Sequence, residues 1–293
     1  MVASVADRPV FPAPAKLNLF LHVTGQRPDG YHTLQTLFQF LDFGDELTFE
    51  PTTDGVIRRR GALTGVPEER DLTVRAARAL QAHARAGAGV VIELRKRLPL
   101  GGGLGGGSSD AATTLIALNR LWGTGLHRDE LAALGLVLGA DVPVFVRGQA
   151  AFAEGVGEVL TPVAPEEAWY LVVVPRVAVS TAEVFAEHAR RRNAGLTVFS
   201  PIITIRGFRA DPWGPGLRND LEPLVCARYP EVARALDWAK AQGRARMTGS
   251  GACVFLAVAD EAAGQRLQRA AAAVGLEGFV ARGMNRHPLA TDP

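Results

Sequence analysis

Residues 99–112 have the sequence PLGGGLGGGSSDAA, and six of the seven positions from Gly101 to Gly107 are glycine. Glycine adopts positive φ angles freely, but inside a strand or helix it is less stable than alanine by ~0.5–1 kcal/mol. Without β-carbons, successive backbone N–H groups can approach an anion closely, and a following helix adds its own free N–H groups and positive dipole end. We therefore predict that this glycine loop, residues 101–107, binds phosphate at the start of a helix that spans about residues 108–122.

A flexible linker and two standard nucleotide motifs are the alternatives for the glycine loop. Linkers are seldom flanked by an apolar strand and a strongly apolar helix, as this loop is. Residues 101–106 fit G-x-G-x-x-G, but the acidic residue expected about 20 positions later would be Asp129 or Glu130, at a helix start. The Walker motif requires a lysine before Ser108, where the sequence has glycine. Neither standard motif fits.

Composition and charge limit the class of protein. The chain has 293 residues, of which 47% are hydrophobic and 21% charged, as in ordinary folded proteins. Its net charge of +2 gives no reason to expect nucleic acid or a membrane as a partner. Cys226 and Cys253 fit neither a disulfide framework nor a zinc motif. Residues 1–17 lack a signal-peptide pattern and no stretch is apolar enough to span a bilayer, so we expect a soluble, cytoplasmic protein.

Hydrophobic periodicity predicts strands and helices that alternate without the regular rhythm of a doubly wound sheet. We expect strands at 16–23, 37–43, 46–51, 90–95, 169–174 and 253–258. We expect helices at 71–85, 108–122, 128–138, 181–191, 231–242 and 261–274. A turn is predicted at Gly44-Asp45, a strand-and-loop region at 144–163 and a long loop at 193–217. The pattern indicates an α+β protein of two domains, 1–165 and 166–293.

Three motifs of the chain resemble the signatures of the GHMP kinases, the superfamily of galactokinase, homoserine kinase and mevalonate kinase. The glycine loop resembles the second signature, residues 14–19 (PAKLNL) the first, and residues 248–253 (TGSGAC) the third. Residues 15–47 and 138–158 carry a narrower resemblance, to the kinases of 4-diphosphocytidyl-2-C-methyl-D-erythritol. The similarity covers nearly the whole chain and weakens between 193 and 215. Two departures are Asp71, where relatives often carry Asn beside the adenine pocket, and Ser250, where some carry Thr.

This resemblance implies a fold, a reaction and its partners. The expected fold is two-lobed and GHMP-kinase-like, with an N-terminal ribosomal-protein-S5-like lobe that binds ATP and a C-terminal ferredoxin-like lobe. The expected reaction moves the γ-phosphate of ATP, with Mg²⁺, onto the 2-hydroxyl of the cytidyl substrate, giving the 2-phosphate and ADP in isoprenoid precursor biosynthesis. The implied partner is a small molecule carrying cytidine diphosphate, without nucleic acid or membrane, and the enzyme is expected to be a monomer or homodimer. The sequence does not identify the Mg²⁺ ligands.

The resemblance also assigns two catalytic residues. An aspartate between Gly-Ala and Val-Pro, such as Asp141, is most often a cap or turn former. A lysine in an apolar strand, such as Lys16, most often extends its ammonium group to the surface. The family match instead implies that Asp141 accepts the hydroxyl proton while Lys16 lies beside it, keeps it ionised and offsets the developing charge.

The remaining site residues follow from the same resemblance. For ATP the predicted residues are Pro99, Leu100, Gly101, Gly102, Gly103, Leu104, Gly105, Gly106, Gly107, Ser108 and Ser109. For the cytidyl substrate they are Asn18, Tyr31, His32 and Phe185, with Tyr31 stacking on the base and His32 serving its hydrogen-bonding edge. A bare Tyr-His pair would more often be a core aromatic beside a surface histidine, and Phe185 is equally plausible as core.

Other functions stay open from the sequence. The chain could be another GHMP kinase acting on homoserine or a mevalonate-type alcohol, or a nucleotide-binding module without catalysis. A nicotinamide enzyme is a third alternative. The runs Arg58-Arg59-Arg60 and Arg190-Arg191-Arg192 are predicted to be solvated faces.

Overall fold

The computed structural model of the chain describes residues 8–195, 199–203 and 211–290. Its strands are β1 (Phe11–Gln26), β2 (His32–Thr52), β3 (Ile57–Arg60), β4 (Gly89–Arg95), β5 (Ala151–Glu154), β6 (Val159–Pro162), β7 (Trp169–Val174), β8 (Ala245–Met247), β9 (Val254–Val258) and β10 (Glu277–Met284). Its helices are α1 (Leu72–Ala84), α2 (Gly106–Leu121), α3 (Arg128–Leu138), α4 (Val142–Arg147), α5 (Thr181–Asn193), α6 (Glu222–Arg228), α7 (Pro230–Gln242) and α8 (Glu261–Ala273). Among these helices none is both long and apolar enough to cross a bilayer.

β1 and β2 are the two long strands of the N-terminal half, and they pair antiparallel over most of their length. The prediction of two strands separated by a Gly44-Asp45 turn is wrong, because β2 continues through both residues. Gly44 is instead required by close packing: a β-carbon there would lie 2.2 Å from the carbonyl oxygen of Ala13. The register shifts just beyond this contact, between Pro14 and Lys16, which marks an irregularity of the β-bulge type in the ladder.

The strands of both halves form one continuous sheet in the described residues. Its main path is β3-β4-β2-β10-β7-β9-β8, with β1 and β5 paired to β2 and β6 paired to β5. β10 connects the halves, because it pairs with β7 along most of its length and with β2 at Gly283 and Met284. The strand at the C-terminal end of the chain thus joins a sheet built mostly by the first 100 residues.

Three buried clusters stabilise this arrangement. One lies in the N-terminal half, where α2 and α4 bury Leu115 and Phe145 against Phe40 of β2. A second lies in the C-terminal half under α7. The third joins the two halves, because Leu17 and Leu19 of β1 belong to the same cluster as Phe255 of β9. The α+β class predicted from the sequence is confirmed, whereas the boundary at residue 165 stays a prediction.

Several short elements were not predicted. They are α4 and α6, the strands β3 and β8, and β10. The region 144–163 was predicted as strand and loop. It contains the strands β5 and β6, but its first residues belong to α4. Part of the predicted loop 193–217 lies outside the described residues.

The first arginine run is not a solvated face throughout. Arg59 is nearly buried and lies 2.5 Å from the carboxylate of Asp71, whose other oxygen accepts a hydrogen bond from the Thr73 amide and caps α1. Arg58 and Arg60 remain exposed, as predicted. In the second run Arg192 is half-buried, with its guanidinium 4.8 Å from the ring centre of Phe199. Neither run is therefore exposed along its whole length, because only one side of a strand or helix faces solvent.

Candidate active site

A single cleft of about 1110 Å³ contains most of the residues predicted for the site. Its walls come from β1, the start of β2, the glycine loop, the start of α4 and one side of α5. The glycine loop and Asp141, the residue before α4, line one part of the cleft. Tyr31, His32 and Phe185 line another part. The lining thus combines a polar part with an aromatic part, as expected for a site that must hold both a phosphate tail and a base.

The glycine loop has the conformation that the sequence predicts. Gly101, Gly103 and Gly105 have positive φ angles of 67°, 74° and 71°, and α2 begins directly after Gly105. Such angles are costly for residues with a β-carbon. The loop therefore presents its backbone and the free N–H groups of the first turn of α2 to the cleft, where an anion would be stabilised.

The third motif packs directly against the glycine loop. The amides of Ala252 and Cys253 donate to the carbonyl oxygens of Gly101 and Gly102, at 3.2 and 3.0 Å. A β-carbon on Gly103 would lie 2.3 Å from the carbonyl oxygen of Thr248. A β-carbon on Gly249 would in turn lie 3.0 Å from the carbonyl oxygen of Gly103, so the close approach of the two motifs favours glycine on both sides.

Lys16 and Asp141, 125 positions apart in the chain, meet in the cleft. The Lys16 ammonium lies 3.3 Å from the Asp141 carboxylate and donates to the carbonyl oxygen of Gly103 at 3.1 Å. Lys16 is 2% exposed, so its ammonium group is held inside the protein and does not extend to the surface. The Asp141 side chain is about one-third exposed (33%) and therefore remains accessible to a bound molecule.

Asp141 is the residue before α4, but it does not act as a helix cap. Its φ and ψ angles are −84° and −11°, and its side chain accepts no capping hydrogen bond from the described residues of α4. Asp141 thus lies in a turn, as its sequence context suggests, but its side chain is not used as a helix cap. The carboxylate is available for chemistry next to the Lys16 ammonium.

Asn18 anchors the polar centre of β1. Its side chain accepts a hydrogen bond from the Lys16 ammonium and donates to the Thr36 hydroxyl at 3.0 Å. Its backbone amide donates to the Thr248 hydroxyl at 2.9 Å. Asn18 thus lines the cleft and also fixes the position of the lysine.

Tyr31, His32 and Phe185 form the aromatic part of the cleft. Tyr31 is 64% exposed, His32 is buried, and the His32 and Phe185 ring centres are 5.2 Å apart. The Nε2 atom of His32 is buried without a hydrogen-bond partner in the described structure. Burial lowers the pKa of His32, and His188 and Arg192 lower it further, so the ring is neutral at pH 7.

The other predicted ATP residues lie along the cleft with one exception. Pro99, Leu100 and Ser108 line it together with the glycine loop. Ser109 is completely buried, its amide donates to the Gly105 carbonyl at 2.8 Å, and its hydroxyl does not face the cleft. The Ser109 hydroxyl has no hydrogen-bond partner among the described residues, and the contact of Ser109 with ATP stays a prediction.

The structure adds residues that the sequence analysis missed. Lys96 lines the cleft below the glycine loop, 2.5 Å from Asp45 and 2.7 Å from Asp110. Thr181 and Ser250 also line the cleft, with their hydroxyls 2.7 Å apart. Lys96 could have been suspected from its place at the end of a strand, five residues before the glycine loop. The hydroxyl pair gives no such signal, because it joins residues 69 positions apart.

The carboxylates of the cleft do not form a metal site of their own. In the described part of the chain, no three His, Cys, Asp or Glu side chains are grouped closely enough to hold an ion. Among the described lining residues the acidic ones are Asp29 and Asp141, and Asp29 is paired with Arg27 at 2.7 Å.

Family models match both halves of the chain. The model of the GHMP kinases N terminal domain matches residues 71–149, and that of the GHMP kinases C terminal domain matches residues 205–276. The first match contains the glycine loop and Asp141. The second contains the third motif.

Similar proteins share one name. A protein from Thiobacillus denitrificans named 4-diphosphocytidyl-2-C-methyl-D-erythritol kinase is 58% identical over 279 residues, or 95% of this chain and 96% of the relative. Proteins of the same name from Cupriavidus metallidurans and Pseudomonas savastanoi are 55% and 56% identical, over 96% and 94% of this chain and 94% and 92% of theirs.

Solved structures show the same similarity. A crystal structure of 4-(cytidine 5'-diphospho)-2C-methyl-D-erythritol kinase matches with a TM-score of 0.79 at 34% identity, over 94% of this chain and 99% of that chain. Mevalonate kinase from Methanococcus jannaschii matches with a TM-score of 0.66, over 96% of this chain and 100% of that chain. At 17% identity the second match shows the fold alone.

Proposed function

The chain belongs to the GHMP kinases and, within them, to the 4-diphosphocytidyl-2-C-methyl-D-erythritol kinases, and from this membership we infer its reaction. It transfers the γ-phosphate of ATP to the 2-hydroxyl of 4-diphosphocytidyl-2-C-methyl-D-erythritol, giving the 2-phosphate and ADP. The reaction belongs to the non-mevalonate route to isoprenoid precursors. The structural observation that supports it best is the Lys16–Asp141 pair, which lies in one cleft with the glycine loop and the aromatic wall.

We propose that Asp141 accepts the proton of the substrate hydroxyl. Its carboxylate is accessible, is not used as a helix cap and lies 3.3 Å from the Lys16 ammonium. A nearby positive charge favours the ionised carboxylate that can accept a proton. As the hydroxyl loses its proton, the oxygen attacks the γ-phosphorus and the bond to the ADP oxygen breaks.

Lys16 has two roles in this proposal. Its ammonium orients Asp141, and it offsets negative charge that develops on the attacking oxygen and the transferred phosphoryl group. The hydrogen bonds to Asn18 and to the Gly103 carbonyl fix the ammonium next to the glycine loop. The lysine therefore contacts both parts of the site, the nucleotide loop and the acid-base residue.

We propose that ATP binds with its phosphates against the glycine loop and Ser108. The positive φ angles expose backbone N–H groups, and the first turn of α2 adds its dipole. Mg²⁺, when bound with ATP, would neutralise phosphate charge, with phosphates and water as its main ligands. The cleft lining agrees with this proposal, because it offers few carboxylates of its own to an ion. Its described acidic residues are Asp29, which pairs with Arg27, and Asp141, which pairs with Lys16.

We propose that the cytosine base binds at the aromatic wall. Tyr31 and Phe185 would contact its faces, and an aromatic–base stack contributes about 1–3 kcal/mol. The buried, unpartnered Nε2 of His32 would gain a hydrogen bond from or to the edge of the base. The reacting oxygen is tertiary and hindered, so placement by this distant handle contributes more than base strength.

The variant Asp141→Asn tests the proposed base directly. We expect kcat to fall by about 10²–10⁴-fold, the usual contribution of general base catalysis. Binding of a nonhydrolysable ATP analogue, measured by calorimetry, should stay within about twofold, because the loop contacts are intact. Asp29→Asn is the control for a carboxylate of the same cleft: Asp29 pairs with Arg27 and accepts a hydrogen bond from the Tyr31 amide, so any loss should appear in KM for the cytidyl substrate and not in kcat. Near-normal turnover of Asp141→Asn would remove Asp141 from this role.

A further inference from the structure

His188 on α5 packs directly against the ring that we assign to base recognition. It is 3% exposed, and its ring centre lies 5.7 Å from that of His32 in an edge-to-face arrangement. Phe185, one turn earlier on the same helix, lies 5.2 Å from His32. The His32 imidazole is therefore in contact with two aromatic side chains of one helix.

We propose that His188 is a positioning residue for substrate recognition: it fixes the His32 ring beside Phe185 so that His32 presents its Nε2 to the base. This inference rests on the proposed function, because it assumes that His32 contacts the base. His188 does not line the cleft and acts only through His32.

The unpartnered nitrogens of the two rings support this division of roles. Nε2 of His32 and Nδ1 of His188 are both buried without a hydrogen-bond partner in the described structure. For His32, which lines the cleft, a bound base would supply the missing partner. His188 is not among the described residues of the cleft lining, and its contact with His32 is one of ring packing, in which the edge of one ring meets the face of the other.

Three charged or titratable groups surround His188. Arg192 lies on its own helix, His32 on β2, and Asp220 in the segment that precedes α6. Burial lowers the pKa of His188 and Arg192 adds to this, while Asp220, which also faces His22 and Arg218, raises it. The neutral pair keeps one donor and one acceptor nitrogen on each ring. A proton on one ring opposes a proton on the other, which is why His188 lowers the pKa of His32 beyond the effect of burial.

The test compares KM for the cytidyl substrate with KM for ATP. In His188→Ala we expect KM for the cytidyl substrate to rise about three- to tenfold, as expected for loss of an edge-to-face contact. KM for ATP should stay within about twofold, because the glycine loop is not touched. His188→Phe keeps an aromatic ring at this position. Its KM for the cytidyl substrate should therefore stay within about twofold of the wild-type value at pH 7.5.

A pH profile separates positioning from a purely structural role. In the wild type, the rise of KM for the cytidyl substrate at acid pH should begin at a lower pH than in His188→Phe, because His188 lowers the pKa of His32 and so delays its protonation. Equal profiles for the two proteins would overturn the inference, as would equal rises of both KM values in His188→Ala. Should His188→Ala fail to fold, the comparison of wild type with His188→Phe decides alone.

The variant His32→Ala distinguishes the inference from the proposed function. A raised KM for the cytidyl substrate in His32→Ala, with no change in His188→Ala, overturns the inference and leaves the function intact. An unchanged KM in His32→Ala removes the base contact, and with it the inference. Absence of any phosphoryl transfer by the wild-type protein would instead contradict the proposed function.

Discussion

Lys96 is shared by two buried carboxylates below the glycine loop. Asp45 and Asp110 lie 2.5 and 2.7 Å from its ammonium, and Asp45 also accepts hydrogen bonds from the amides of Arg97 and Leu98. Burial raises the pKa of Asp110 to about 8, although Lys96 opposes this. Two carboxylates around one ammonium thus retain a proton on Asp110 at neutral pH.

The variant Asp110→Asn should change how stability depends on pH. Between about pH 4 and pH 8, Asp110 is protonated in the folded protein but ionised in the unfolded chain. The folded state therefore binds more protons than the unfolded state over this range. The free energy of unfolding therefore decreases as pH rises through this window, by at most about 1.4 kcal/mol per pH unit for this group. Asp110→Asn lacks this decrease, so its stability relative to wild type should increase from pH 5 to pH 8 in urea unfolding.

Asp129→Asn is the control for this measurement, because the Asp129 side chain is 82% exposed on α3. Its unfolding free energy should follow that of wild type at every pH. Parallel curves for Asp110→Asn and wild type would show that Asp110 is not protonated in the folded protein.

Single residues were the hardest part of the site to predict. That Lys16 and Asp141 meet depends on how the fold brings β1 and the residue before α4 to the same cleft, and only the family resemblance suggested it. Arg59 was predicted to be solvated, because a local run of charges does not show that a buried carboxylate such as Asp71 lies beside one of them. That Ser109 is buried while Ser108 lines the cleft was also not visible from the sequence, because adjacent residues of a helix point about 100° apart.

The glycine loop and the third motif function as one packed element. The Gly103 carbonyl accepts a hydrogen bond from Lys16, and a β-carbon on Gly103 would meet backbone oxygens of Thr248 and Gly251 at 2.3 and 2.9 Å. These neighbours are backbone atoms, which cannot turn aside as a flexible side chain can. The position therefore tolerates only glycine.

Gly103→Ala should reduce nucleotide binding at least tenfold and also lower the melting temperature. The positive φ angle alone costs about 1–2 kcal/mol for a residue with a β-carbon, and the clash with Thr248 adds to it. Gly123→Ala is the matched control, since Gly123 also has a positive φ angle but a β-carbon there would meet no atom of the described residues within 4 Å. Equal losses in both variants, measured by thermal unfolding and calorimetric titration, would contradict the close packing of the two motifs.

Helices and apolar strands were predicted well, and short or interrupted elements were not. α1 has a clear apolar period and starts at a recognisable cap, Asp71, whereas α2 is apolar over nearly its whole length and follows directly on the glycine loop. β2 was divided in the prediction because Gly44-Asp45 has turn chemistry, which tertiary packing against Ala13 overrides. β10 alternates weakly and owes its place to partners that are distant in sequence.

The two halves of the molecule are not independent in this structure. β10 pairs with strands of both halves, and the cluster of Leu17 and Leu19 with Phe255 lies between them. The cleft likewise takes its walls from both halves, since Phe185 and Ser250 face residues of the first 150. Substrate placement thus depends on the joint fold.

A fragment that ends at residue 165 should not fold cooperatively. It would expose the apolar side chains of β1 that Phe255 and Tyr170 bury, and β2 would lose β10 as a neighbour. The full chain should unfold in one transition, with agreeing calorimetric and van't Hoff enthalpies. A sharp transition of the fragment near the melting temperature of the full chain would show that the lobes are independent domains.

The reaction itself is tested most directly by following phosphorus. ³¹P NMR of the protein with ATP, Mg²⁺ and 4-diphosphocytidyl-2-C-methyl-D-erythritol should show one new phosphomonoester signal beside the diphosphate signals of the acceptor. The amount of monoester should equal the amount of ADP formed. Neither ADP nor a new monoester should form when the acceptor is omitted or replaced by homoserine or mevalonate. ADP formation that is independent of the acceptor, or a monoester formed as readily on homoserine or mevalonate, would contradict the account.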